Sequence, residues 1–243
     1  MDYAKHSNLV QRRRPIGLPF FGRRMPSPWS PDVQARQGIE GEAFAPWAVT
    51  TISLLGAILD EAGADVLVAS SKSPERALAL SRTACVDLFL LHLVRDGRGM
   101  AWSLKKKAAR NIAEGVAPKQ HHSSVRRSAV AWSLVNQMVL RVARHLPPER
   151  RMILLYEAYS TDLEGSLKPL VDFMGAGVLD VARRASAGEG LEQGHAIAGN
   201  RLRLGGPIRL KPDTEWRENL GAPDRRRVEQ LSKPLLRRFG YEV

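Results

Sequence analysis

Arg95 and Ser103 are the pair of residues whose types and spacing best suit the holding of a phosphate. Arg95 closes a short apolar run, Leu88 to Val94, and leads into Asp96 and Gly97, a charged turn with a flexible glycine. From about Arg98 the spacing turns helical, with Met100, Trp102 and Leu104 followed by Lys105, Lys106 and Lys107. Strand, tight turn and helix in that order bring free backbone N–H groups and the positive end of a helix dipole to one place. There Arg95 could grip a phosphate through its guanidinium fork and Ser103 through its hydroxyl. On spacing alone, an Arg–Asp surface turn is an equal reading.

The elements that must position this pair are those of a parallel α/β sheet. The run at 88–94 is too short for a membrane and too continuous for a half-exposed strand, which predicts a strand buried on both faces. Two more buried strands are expected at Asp65–Ala69 and about 151–156. Between them the apolar spacing predicts helices. One spans Trp47–Ala62, with apolar residues at Val49, Ile52, Leu55, Ile58 and Leu59 and Gly63 at its end. A second begins at the N-cap Ser73 with Pro74 in its first turn. Others cover Val125–His145, broken by Pro147 and Pro148, then Leu163–Phe173, then a segment through Val228, Leu231 and Leu235. Residues 176–212 read as a loop, and residues 1–46, with six prolines, as an irregular segment preceding an α/β domain over 47–243. Strands alternating with helices argue right-handed crossovers.

Composition bounds the rest. The 243 residues suit one sizeable domain, with an ordinary apolar fraction of 44%. One cysteine excludes an internal disulfide or a multi-cysteine zinc site, and Cys85, beside the predicted strand, reads as a small core residue rather than a nucleophile. His121 and His122 lie in a polar stretch and read as solvated, so no metal is expected. No stretch approaches a transmembrane span and no secretory signal is recognisable, so a soluble, reducing, cytoplasmic setting is expected. The net charge of +12 invites a nucleic-acid reading, but the basic residues stand in short separate groups without aromatic interleaving. That makes a nucleic-acid partner a lesser alternative.

The words around Arg95 add a resemblance. Leu91-His-Leu-Val-Arg-Asp-Gly-Arg-Gly-Met-Ala-Trp-Ser103 resembles the 3′-phosphate-binding segment of sulfotransferases that use 3′-phosphoadenosine 5′-phosphosulfate (PAPS), in their bacterial form. Arg95 and Ser103 fall on the two positions that hold the cofactor's 3′-phosphate in that family. Val66 to Arg76 is similar to the family's second-strand motif, which implies that Lys72 contacts substrate or sulfate, although Ala69 stands where the family often has Asp. His195 to Arg203 is similar to a late His–Gly-Asn–Arg segment and implies further cofactor contacts from Asn200 and Arg203. Tyr156-Glu157, Trp132 with Asn136, Trp216 and the Gly240-Tyr241 pair also match family markers. Glu157 is expected to accept backbone or arginine hydrogen bonds.

The resemblance implies a P-loop-like sulfotransferase fold and transfer of a sulfuryl group from PAPS to a hydroxyl or amine acceptor. It assigns no catalytic base. The family's first strand and its Gly-x-x-Arg-Ser-Gly-Thr-Thr-like 5′-phosphosulfate loop have no match, so the sequence reads as a member lacking both, with a gap beside the central strand. A degenerate nucleotide-binding or partner-binding protein without turnover is the main alternative.

Overall fold

The computed structural model describes residues 19–20, 23–24, 44–70, 73–83, 85–115, 124–174, 177–190 and 214–243. Two-residue strands β1 (Pro19–Phe20) and β2 (Arg23–Arg24) pair antiparallel. Helices α1 (Phe44–Ala62) and α2 (Pro74–Ser81) follow, then β3 (Leu90–Val94), α3 (Gly97–Ala113) and α4 (Val125–Ala143). A 3-10 turn at Pro148–Arg150 enters β4 (Arg151–Leu155), which continues into α5 (Tyr156–Thr161), α6 (Leu163–Met174) and α7 (Gly177–Ser186). The last elements are α8 (Trp216–Asn219) and α9 (Ala222–Arg238). This is a mixed α/β protein, mostly helical, with one parallel pair of strands, β3 and β4, among the described residues.

The chain divides into two compact units, one reaching to Leu88 and including Met138–His145, the other made of Phe89–Gln137 and Leu146–Val243. In the first unit α1 and α2 pack through Phe44, Ala48 and Ala79, with Trp47 alongside. The helix ends follow local chemistry. Gly63 leaves α1 with φ +56, which glycine adopts without penalty. The hydroxyl of Ser73 accepts the Arg76 N–H at 3.2 Å to cap α2, with Pro74 in its first turn. The buried side of α1 includes Phe44, Ala48 and Thr51, while Val49 and Ile58 face solvent. One expectation fails here. Asp65–Ala69 forms no strand among the described residues, and Val66 and Val68 are 58% and 70% exposed. β-branched residues favour an extended chain, but a strand also needs a neighbour to bond to, and that neighbour is not a local property.

The second unit is built around β3 and β4. Their register sets His92 beside Ile153 and Leu93 beside Leu154. Paired residues of parallel strands share a face, so the two faces can be followed separately. On one face β3 is covered, because the buried His92 meets Asn136 of α4 and the ring of Phe239, while Ile153 of β4 is 50% exposed. On the other, Leu154 of β4 joins Leu163, Leu167, Leu170 and Ala182 from α6 and α7, while Leu93 of β3 is 53% exposed. Each face is therefore covered over one strand, and the expected burial of both faces of 88–94 is not what forms. Among the described residues β3 has only β4 as a ladder partner. A second cluster, Ala101, Val125, Ala129 and Val228, fastens α3, α4 and α9 together. Two further expectations fall. Residues 177–186 are the helix α7 rather than loop. Cys85 is exposed, with φ +66, because the strand starts at Leu90 and the preceding residues lie outside the core.

His92 carries a pH prediction. Its Nε2 donates to Asn136 Oδ1 at 2.9 Å, and that amide donates in turn to the Trp132 carbonyl at 2.8 Å, while Nδ1 has no hydrogen-bond partner among the described residues. Burial lowers the pKa of His92 and outweighs the Asn136 bond, which raises it. The unfolded chain therefore takes up this proton before the folded one does. Stability is full above the ordinary histidine range and falls as pH drops through about 6.5 and below, by up to about 1.4 kcal/mol per pH unit while the window lasts. Urea unfolding between pH 7.5 and 5.5 should show this slope in the wild type and a slope shallower by one proton in His92→Leu. Equal slopes would rule it out.

Candidate functional site

The turn after β3 is held on every side. The carbonyl of Arg95 accepts the Trp132 indole N–H at 2.9 Å. The Asp96 N–H donates to Glu157 Oε1 at 2.8 Å, joining the end of β3 to the residues after β4. The Asp96 carboxylate caps α3 by accepting the Arg98 N–H at 2.8 Å. Gly97 lies flat beneath Trp132: a Cβ at that position would sit 3.3 Å from the indole Cδ2, so the close approach of backbone to ring favours glycine.

Arg98 fills the space behind the turn. Its Nε and Nη2 donate to Asp96 at 3.0 and 2.8 Å, and its Nη1 donates to Glu229 Oε1 at 3.0 Å and to the Glu242 carbonyl at 2.9 Å. The guanidinium also stacks 4.5 Å from the centre of the Trp216 ring. Asp96 and Arg98 are only 3% and 5% exposed, so this part of the turn is buried. Burial opposes the Arg98 charge, but Asp96 and then Glu229 overcome it and leave its pKa raised. Glu229 is likewise desolvated, yet Arg225 and Arg98 hold its carboxyl below the usual range. Tyr241 closes the assembly: its hydroxyl donates to Glu157 Oε2 at 2.7 Å, and burial, then Glu157, push its pKa up.

Arg95 and Ser103 sit on this frame, Arg95 at the carboxyl end of β3 and Ser103 within α3. Both are half-buried. The Arg95 guanidinium lies 5.3 Å over the Tyr156 ring, and burial lowers its pKa despite the pull of Tyr156, Glu157, Asp96 and Glu215. The helix start is less open than the sequence suggested, since the Arg98 N–H is already taken by Asp96. Two of the three lysines after Ser103 are likewise committed: Lys105 pairs with Asp224 at 3.0 Å, and Lys106 pairs with Glu215. Glu215 also accepts the Trp102 indole N–H at 3.3 Å, and Lys106, then Trp102, lower its pKa.

A cavity of about 650 Å³ opens beside the frame, walled by Asp96, Arg98, Glu157, Ser160, Thr161 and Trp216 among others. It lies at the carboxyl ends of β3 and β4, the edge where parallel sheets commonly bind ligands. Lys72, Asn200 and Arg203 lie outside the described residues, as do His121, His122 and His195. Arg98, Glu229 and Tyr241 are the structural centre that sequence reasoning left unassigned. The signal for Arg98 was its place in Arg95-Asp96-Gly97-Arg98, and for Tyr241 the closing Gly-Tyr. Among the described residues no cluster of His, Cys, Asp and Glu could hold a metal, and no helix is long and apolar enough to cross a membrane.

The fold and the site define a mixed α/β protein whose buried ion network braces the turn at the end of a parallel strand. No family model matches the sequence, and no curated protein matches it. Among solved structures, a sulfotransferase domain from the curacin biosynthetic pathway is similar, at 15% identity and a TM-score of 0.49, over 98% of this chain and 84% of that one. A likeness at that level does not place the chain in a family.

Proposed function

We propose that the chain binds a 3′-phosphoadenosine nucleotide at the end of β3 and is a sulfotransferase, moving a sulfuryl group from PAPS to a hydroxyl or amine acceptor. One observation carries this reading: a half-buried guanidinium, Arg95, ends a parallel strand and is followed by a braced turn and a helix bearing Ser103. Burial lowers the pKa of Arg95 despite the acidic groups around it, and a phosphate bound there would favour its charged form. The family-like sequence on both sides of Arg95 supplies the nucleotide's identity. Lys72, Asn200 and Arg203 are proposed as further cofactor contacts on that resemblance. When bound, PAPS would supply the sulfuryl group and the leaving phosphate. In-line transfer needs a base on the acceptor and positive charge near the bridging oxygen.

Titration calorimetry with 3′-phosphoadenosine 5′-phosphate tests the binding step. Arg95→Ala should weaken binding about 10- to 150-fold, the equivalent of ~1.5–3 kcal/mol for a charged hydrogen bond, and Ser103→Ala by about 5-fold. Equal affinity for wild type and Arg95→Ala, with both folded, would remove the assignment. A transfer assay with PAPS and a panel of alcohols and amines then decides the reaction: binding without transfer keeps the nucleotide site and discards the transferase.

A further inference from the structure

We propose that the outward face of α9 is a docking surface for the phosphodiester backbone of a nucleic acid, read without regard to base sequence. The helix buries Val228, Ser232, Leu235 and Leu236. Opposite them, Arg226, Gln230, Lys233 and Arg237 recur at i, i+4, i+7 and i+11, which sets them in one stripe along the helix. The stripe is about 16 Å long at 1.5 Å per residue. Arg227 and Arg238 flank it, and all five cations are exposed. The acids nearest the stripe are already paired: Glu229 borders a hollow it shares with Arg226, Gln230, Lys233 and the terminal Val243, and both acids of α9 carry partner cations. Asp224 engages Lys105 at 3.0 Å, with Arg227 at 3.9 Å, and Glu229 engages Arg98 and Arg225 at 3.0 and 3.1 Å. Arg226, Lys233, Arg237 and Arg238 have no ion pair among the described residues.

Such a stripe repels itself, since like charges at i, i+4, as in Lys233 and Arg237, disfavour a helix. A row of phosphates would reverse that sign. Charge complementarity alone would also fit an anionic bilayer, but three features favour a phosphodiester chain. The apolar side of α9 is spent in the core and cannot insert into lipid. The cations lie in a line rather than across a plane. Four of the five are arginines, whose forked donors match phosphate oxygens. In the sequence these residues belong to separate short groups, 225–227 and 237–238, with Lys233 between them, and only the helix aligns them. The surface shares no residue with the proposed nucleotide site.

The test is fluorescence anisotropy of the full chain with a labelled duplex of arbitrary sequence, titrated at several salt concentrations. The wild type should bind with a steep salt dependence. The triple variant R226Q/K233Q/R237Q should lose at least about 10-fold in affinity at low salt, and its log–log salt slope should be shallower by about three, near one counterion per phosphate contact. A control triple variant on other exposed cations, K107Q/R110Q/R126Q, should keep most of the wild-type affinity and slope. Equal losses from the two triple variants would mean diffuse charge and overturn the proposal. Binding to anionic vesicles without binding to the duplex would also overturn it. Affinity for 3′-phosphoadenosine 5′-phosphate should be the same in wild type and stripe variant, so this surface and the nucleotide site stand or fall separately.

Discussion

Arg98→Ala should lower the free energy of unfolding by about 3–5 kcal/mol, measured by urea denaturation at neutral pH. The residue is nearly fully buried and makes charged hydrogen bonds to Asp96 and Glu229, one to the Glu242 carbonyl, and a stacking contact with Trp216. Truncation deletes all of these and leaves the Asp96 carboxylate, 3% exposed, without its cation. Removing one partner of a buried pair costs more than the pair is worth, because the other charge stays desolvated. The corollary distinguishes this cause from simple loss of packing. Arg98→Met combined with Asp96→Asn removes both charges while keeping a good N-cap for α3, so it should recover a large part of the loss. The exposed pair of Lys105 and Asp224 gives the contrast: Lys105→Met should cost under about 1 kcal/mol. A loss below about 1 kcal/mol for Arg98→Ala would show that the network does not brace the turn.

The parts of this fold that were legible in the sequence are those decided locally. Ser73 with Pro74 opens α2 and Gly63 ends α1 because caps depend on a few adjacent residues. The strand–turn–helix from Leu90 to Ala113 was legible for the same reason. What was not legible depends on partners far away in the chain. Among the described residues, Asp65–Ala69 has the composition of a strand but no ladder, and Leu93 has the side chain of a core residue but no helix over it. Arg98 reads as one more basic residue after a turn until Glu229 and Glu242, 131 and 144 positions away, close around it. The same holds for the surface of α9. A count of charges gives +12, while the pairing of Asp224 and Glu229 with other residues decides which face is left basic.

Glu157 was the exception, a residue whose hydrogen bonds were expected from the resemblance of Tyr156-Glu157 to a structural marker, and it carries the second large effect. One oxygen accepts the Asp96 N–H at 2.8 Å and the other the Tyr241 hydroxyl at 2.7 Å. The carboxylate thus ties the ends of β3 and β4 to the segment that follows α9. Hydrogen bonds to a charged acceptor are worth ~1.5–3 kcal/mol each, and the adjoining cavity lets water replace part of what is lost. Glu157→Ala should therefore cost about 2–4 kcal/mol. Tyr241→Phe removes only the second bond and should cost about 1.5 kcal/mol. Because the two residues share one interaction, the double variant should lose less than the sum of the singles, with a coupling of about 1–2 kcal/mol. Glu157→Gln keeps an acceptor oxygen for Asp96 and should fall between wild type and alanine. The tie also bears on Arg95, which lies between β3 and the anchored Asp96. If Glu157 positions that turn, Glu157→Ala should weaken binding of 3′-phosphoadenosine 5′-phosphate under conditions where the protein remains folded, whereas Tyr241→Phe should change it little. A Glu157→Ala protein as stable as the wild type would show that the two strand ends are held by other contacts.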